Sequence, residues 1–190
     1  MTLMKQITFL LIVFMLVTSM FMDHASGQTD GEAAPIYGIK VPPGYREWTL
    51  ISIARVGNPV NDMRAKLGND VAIKAYKEGT LPFPDGTIIA RLAWNQATSD
   101  EGNKAVGAAA LARGLSPDAV QKLLNESFVA GPATNVQFMV KDSKKYASTG
   151  GWGFAQFTNG KPDGEAVHKT CFACHEPAKD RDFVFTRYAP

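Results

Sequence analysis

The sequence has little cysteine, little excess charge and no internal repeat. Its 190 residues include only two cysteines, which excludes a small scaffold held together by disulfides. The formal net charge of +2 is close to balance, and this argues against a nucleic-acid partner. There is also no alternating β–α rhythm of the kind that builds a parallel sheet. These absences leave a single globular domain with enough chain to bury a core of its own.

The one long apolar segment lies at the amino end. Lys5 precedes an apolar run at residues 7–22, and Ala25-Ser26-Gly27 supplies small residues after it. This order is typical of a signal peptide, so we expect residues 1–27 to be removed, a mature chain of residues 28–190, and a periplasmic location. The apolar run has about sixteen residues, short of the roughly 20 needed by a membrane-spanning helix. An uncleaved membrane anchor is the alternative.

Both cysteines belong to one motif, Cys171-Phe172-Ala173-Cys174-His175. Two intervening residues let both thiols add to the vinyl groups of a haem, and the adjacent imidazole then lies beneath the iron. The motif therefore predicts one covalent haem c, with Cys171 and Cys174 as thioethers and His175 as the proximal iron ligand. Such a haem consumes both cysteines.

Two other readings of the motif remain open. A thioredoxin-like redox pair would follow a strand in a β–α–β unit and does not need the histidine. A zinc site could use Cys171, Cys174, His175 and His168, but adjacent Cys174 and His175 do not easily close on one tetrahedral ion.

Alternation and capping signals outline the secondary structure. Apolar–polar alternation predicts strands at residues 87–94, 134–140 and 182–188. Composition predicts two more, at 48–56, which is rich in β-branched and apolar residues, and at 152–157, which is rich in aromatic residues. A helix is expected at Asp70–Glu78, between an Asn69 N-cap and Gly79, and another opens at Ser116-Pro117-Asp118. Residues 96–114 look like a loop with some helix. We therefore expect an α+β fold, mainly an antiparallel sheet with peripheral helices.

A set of motifs in this order resembles the cytochrome P-460 family and the related cytochrome c′-β. The matching segments are Gly-Tyr-Arg-Glu-Trp at 44–48, Pro-Asp-Gly-Thr at 84–87, Val-Lys-Asp-Ser-Lys at 140–144, Gly-Trp-Gly-Phe at 151–154, the cysteine motif, and Phe-Val-Phe-Thr-Arg-Tyr at 183–188. They span nearly all of the predicted mature chain. Residues 107–127 look like an insertion relative to shorter relatives.

The resemblance implies a mainly antiparallel β fold, usually a homodimer, with one haem whose iron keeps an open distal position. Members bind nitric oxide, and those called P-460 oxidise hydroxylamine. In the P-460 subgroup, a lysine on the strand after Asp-Gly-Thr is bonded to the haem edge, and Arg91 stands at the matching position here. A guanidinium stays protonated and is a poor nucleophile, so hydroxylamine oxidation by that route is in doubt.

Other residues are candidates for the pocket above the iron. Arg91 and Arg64 could donate hydrogen bonds to a ligand or a haem propionate, and Phe83 could form an apolar wall. A sixth protein ligand would convert the site into an electron carrier, and the candidates for that role are His168, Met63 and Met139.

These observations lead to one functional hypothesis with two alternatives. The protein is expected to be an exported mono-haem cytochrome that binds nitric oxide or oxidises hydroxylamine-like compounds, passing electrons to a partner cytochrome. The alternatives are a six-coordinate electron-transfer cytochrome and a gas-binding protein without turnover.

Overall fold

A six-stranded antiparallel sheet forms the centre of the structure, a computed structural model that describes residues 31–189. The strands lie side by side in sequence order: β1 Thr49–Val56, β2 Asp62–Gly68, β3 Ile88–Ala97, β4 Val129–Lys141, β5 Trp152–Thr158 and β6 Lys161–Pro162. Each strand pairs with the next along the chain, which is the simplest way to connect an antiparallel sheet. The predicted α+β fold is confirmed. The predicted signal peptide lies outside the described residues.

The described residues also form four α-helices: α1 Asp70–Glu78, α2 Asp100–Ala112, α3 Pro117–Asn125 and α4 Glu165–His175. The bounds of α1 agree with its capping signals, because the Asn69 side chain accepts a hydrogen bond from the Ala72 N–H at 3.0 Å and Gly79 ends the helix at φ 66°. The Ser116 side chain caps α3 in the same way. Within residues 31–189, no helix has both the length and the apolarity required to cross a membrane.

The segment between β3 and β4 is more helical than expected. Residues 96–114 were expected to form mainly a loop, but α2 is a regular helix whose N-cap, Ser99, accepts from the Gly102 N–H at 3.1 Å. A Cβ at Gly107 would lie 3.4 Å from Leu124 and 3.5 Å from Val120. Gly107 therefore faces Leu124 and Val120 where α2 and α3 pack as a hairpin, which contains most of the predicted insertion.

Two strand assignments differ from expectation. The strand β2 was missed, although residues 62–68 alternate polar and apolar side chains. The strand expected at residues 182–188 is wrong, because this segment forms no strand. It begins with two residues in the left-handed region, Asp182 at φ 52° and Phe183 at φ 64°, and a strand requires extended backbone at each position.

The cross-strand register gives the two faces of the sheet different character. On one face Ala65, Leu92, Val136 and Phe157 form a row across β2 to β5; Leu92 and Phe157 are buried. On the other face the neighbouring row is Lys66, Arg91, Gln137 and Gln156. We call this second face the site face. Side chains alternate along each strand, so it also carries Arg64, Asn135, Met139 and Phe154.

Candidate functional site

The helix α4 brings the cysteine motif onto one side. Cys174 and His175 come three and four residues after Cys171, so both lie on the same side of the helix as Cys171. Both cysteines are free thiols; Cys171 is half-buried and Cys174 is exposed. Burial, together with nearby Cys174, raises the pKa of the Cys171 thiol. A raised pKa at the carboxyl end of a helix is the opposite of what a redox-active thiol needs, so the structure does not favour the thioredoxin-like reading.

The His175 imidazole is oriented by a backbone carbonyl. Its Nδ1 lies 2.8 Å from the Phe183 carbonyl oxygen, so the Nδ1–H donates and the Nε2 lone pair is left for a metal. The ring also packs against Phe154 and Phe185, with centroids 5.0 and 5.3 Å away. Burial lowers the pKa of His175, opposed by its hydrogen bond to Phe183. The net effect favours the neutral imidazole that binds metals.

His168 has a structural role instead of a ligand role. It is fully buried, its Nε2 accepts from the Gln156 N–H at 3.0 Å, and its Nδ1–H donates to the Gly164 carbonyl at 3.0 Å. With both ring nitrogens in use, His168 joins α4 to β5 and has no lone pair for zinc or for iron. Within residues 31–189, no three His, Cys, Asp or Glu side chains are grouped as a metal site.

Apolar rings beside His175 fit a flat apolar cofactor. Phe185 packs against the imidazole and is 57% exposed, so it leaves apolar surface beside His175. Phe172, the residue after Cys171, packs against Phe183 at 5.4 Å. Two free thiols, a neutral imidazole with a free Nε2 and an exposed aromatic ring are therefore together at the end of α4. This donor set suits a haem.

The two predicted arginines meet at a third residue, Asp62. Arg64 Nε lies 2.9 Å from Asp62 Oδ1, and Arg91 Nη2 lies 2.8 Å from Asp62 Oδ2. Arg91 Nη1 also donates to Asn135 Oδ1 at 3.0 Å. We call Asp62, Arg64, Arg91 and Asn135 the arginine–aspartate cluster. Sequence reasoning missed Asp62 and Asn135; the alternation of β2 was the available signal for Asp62.

The cluster and the imidazole lie on the same face of the sheet. Gln156 lies two strands away from Arg91, a distance of about 10 Å across the sheet. Phe154 lies two residues before Gln156 on the same strand, a distance of about 7 Å. Phe154 in turn contacts His175. The two groups therefore lie on one face of the sheet, with Gln137, Gln156 and Phe154 placed between them by the register.

More polar groups lie on the site face beside the cluster. Lys66 lies directly opposite Arg91, and burial, helped by Arg64 and Arg91, lowers the pKa of its amine. Gln137 Nε2 donates to Gln156 Oε1, and Gln156 Nε2 donates to Asp163 Oδ2. Neither glutamine was expected from the sequence.

The remaining candidates fall outside this arrangement or at its border. Phe83 is 5% exposed and packs against Trp152 and Tyr76, so it belongs to the core. Met63 lies in β2 opposite Trp94, on the face away from Arg64. Met139 is on the site face opposite Phe154, next to the ring that His175 contacts.

Comparison with known proteins agrees with the motifs. The family model for Cytochrome P460 matches residues 42–186, which is most of the chain and includes β1 to β6 and α4. No curated protein sequence matches the chain.

Proposed function

Because the chain belongs to the cytochrome P460 family of haem proteins, we propose that it is an exported c-type cytochrome with one covalent haem. Its iron has an open position for nitric oxide or a related small nitrogen compound. The observation that carries the proposal is the His175 Nδ1–H bond to the Phe183 carbonyl. This bond leaves Nε2 free beside two free thiols on the same helix face.

The chain's own residues have distinct tasks in this proposal. Cys171 and Cys174 would hold the haem edge, and His175 Nε2 would bind the iron. The haem supplies an iron that takes up a small ligand and changes oxidation state. Phe154 and Phe185 keep water from the imidazole, and the arginine–aspartate cluster presents N–H donors from the site face.

The positions of the three candidate sixth ligands favour an iron with an open ligand position. Both ring nitrogens of His168 are hydrogen-bonded, and Met63 lies on the opposite face of the sheet. Met139 is beside Phe154, on the side occupied by the imidazole itself. Each of these side chains would have to leave its present position to bind an iron held by His175.

The contacts of Arg91 favour ligand binding over the lysine-linked route to hydroxylamine oxidation. Its two terminal nitrogens are engaged by Asp62 and Asn135, and a guanidinium is a poor nucleophile. We therefore infer a haem that has no bond to residue 91. If the protein is an enzyme, its reaction is oxidation of hydroxylamine or a similar reduced nitrogen compound, with a partner cytochrome as acceptor. Export, this partner and a homodimer remain predictions.

Covalent attachment can be tested directly. We expect protein produced with the haem-attachment machinery to keep its haem on a denaturing gel, and the Cys171→Ala/Cys174→Ala variant to lose it. The Glu165→Gln variant, changed on the same helix away from the motif, should keep it. Loss of haem from the unaltered protein on denaturation would contradict the proposal. Hydroxylamine-dependent reduction of an acceptor cytochrome then distinguishes an enzyme from a ligand-binding protein.

A further inference from the structure

The orientation of His175 depends on a carbonyl that lies in an unfavourable piece of backbone. Phe183 presents its carbonyl oxygen to His175 Nδ1 from a position eight residues further along the chain. Both Phe183 and the preceding Asp182 have positive φ, 64° and 52°. Two consecutive non-glycine residues in the left-handed region are uncommon, and such conformations persist only where surrounding contacts hold them.

A buried ion pair supplies those contacts. Lys141 Nζ lies 2.7 Å from Asp182 Oδ1 and 2.8 Å from Oδ2, and the two side chains are only 6% and 8% exposed. The Phe83 N–H donates to Asp182 Oδ2 at 2.8 Å. Three hydrogen bonds from two different parts of the chain therefore converge on the carboxylate next to Phe183.

The lysine is itself fixed in place. Lys141 is the last residue of β4, its Nζ donates to the Gly150 carbonyl at 3.1 Å, and it lies 5.0 Å from the centre of the Trp152 ring. Gly150 has φ 67° and no side chain, and a Cβ there would overlap the Phe183 ring. The end of β4, the loop after it and the start of β5 thus form one support for residues 182 and 183.

From these contacts we infer that Lys141 and Asp182 are positioning residues for the haem iron. The pair holds the Phe183 carbonyl at hydrogen-bonding distance from His175 Nδ1, and so sets the orientation and electron donation of the imidazole. Neither side chain contacts His175. This inference rests on the proposed function, because it requires His175 to be the iron ligand.

The Asp182→Asn variant tests the pair with little change of shape. Asparagine tolerates the left-handed conformation and keeps the size of the side chain, but it removes the charge that Lys141 binds. We expect a weaker His175–Phe183 hydrogen bond in the holoprotein. It should appear as a lower iron–histidine stretching frequency in the ferrous form and a shift of the reduction potential to a higher value, since the imidazole donates less electron density.

A matched control and a second variant complete the experiment. Glu165→Gln removes a carboxylate paired with a lysine on the exposed side of α4, Lys169, and should shift neither quantity. Lys141→Met/Asp182→Asn removes both charges, so it leaves no unpaired buried charge to prevent folding. It should show the same shifts as Asp182→Asn.

Each outcome decides the inference. A stretching frequency and a potential equal to those of Glu165→Gln in a folded, haem-loaded variant would overturn it. The same holds if both Asp182 variants fail to load haem while the control loads normally, because the pair would then serve the fold as a whole. If the unaltered holoprotein itself lacks an iron–histidine band, the proposed function fails, and that failure is distinct from failure of the inference.

Discussion

The imidazole end of the site and the arginine–aspartate cluster are built in different ways. At the imidazole end, three side chains of one helix are brought together by helical spacing alone, and a single backbone carbonyl orients the ring. In the cluster, side chains from β2, β3 and β4 meet only because those strands pair in one register. A local motif suffices for the first region, whereas the second requires the whole sheet.

The two regions also differ in charge balance. Lys141 and Asp182, behind the imidazole, form a pair of one cation and one anion. In the arginine–aspartate cluster and beside it there are three cations, Arg64, Arg91 and Lys66, but only one neighbouring anion, the carboxylate of Asp62. Removing an anion from the site face should therefore lower the free energy of unfolding, whereas removing a cation from it should raise that free energy.

The largest effect is expected where the imidazole is lost. His175→Gly should abolish the native axial ligation, because its Nε2 is the nitrogen left free by the Phe183 hydrogen bond. Added imidazole should restore a histidine-like spectrum in the variant, which optical titration would measure. An unchanged spectrum in His175→Gly without imidazole would show that another residue binds the iron.

An intermediate effect is expected at Asp62. Asp62→Asn leaves Arg64 and Arg91 without their shared anion. Breaking a buried pair costs about 3–5 kcal/mol, and because the arginines are partly exposed we expect a loss of about 2–3 kcal/mol in the free energy of unfolding. Urea unfolding of the holoprotein measures it, with Glu165→Gln as a control for which we expect little change. A loss in Asp62→Asn no larger than in the control would contradict the central role of Asp62.

The smallest effect is a gain in stability at Lys66. Burial and two neighbouring arginines lower the pKa of Lys66 in the folded state, so between that lowered pKa and the usual lysine value of about 10.5 the unfolded state binds more protons. Folding therefore carries a penalty at neutral pH that fades as the pH rises towards that value.

Substituting an uncharged side chain removes this penalty. Lys66→Met should unfold at higher urea than the unaltered protein at pH 7, and the difference should shrink at pH 10. Lys74→Met, on the exposed side of α1, serves as the control. A stability gain over the unaltered protein that is smaller at pH 7 than at pH 10 would contradict this prediction.

The sequence revealed the parts of this structure that depend on neighbouring residues. The caps of α1 and α3 and the spacing of Cys171, Cys174 and His175 are local, and the alternation around Arg91 correctly indicated β3. The expected strand at 182–188 failed because its alternation is overridden by distant contacts from Lys141 and Phe83 to Asp182. Local pattern carries no information about such partners.

The same limit applies within the candidate site. Arg64 and Arg91 were named as pocket residues, but only the register of β2 with β3 places Asp62 between them. The role of His168 follows from its two backbone partners, Gln156 and Gly164. Only Gln156 belongs to a different element, the strand β5, since Gly164 lies one helical turn before His168.

Gas binding to the ferrous holoprotein tests whether the iron is held by His175 with a second ligand position left open. Optical spectra would be recorded before and after adding nitric oxide or carbon monoxide. We predict a high-spin ferrous spectrum that changes on addition of either gas. A low-spin spectrum indifferent to both gases would show a sixth protein ligand, and the protein would then be an electron-transfer cytochrome.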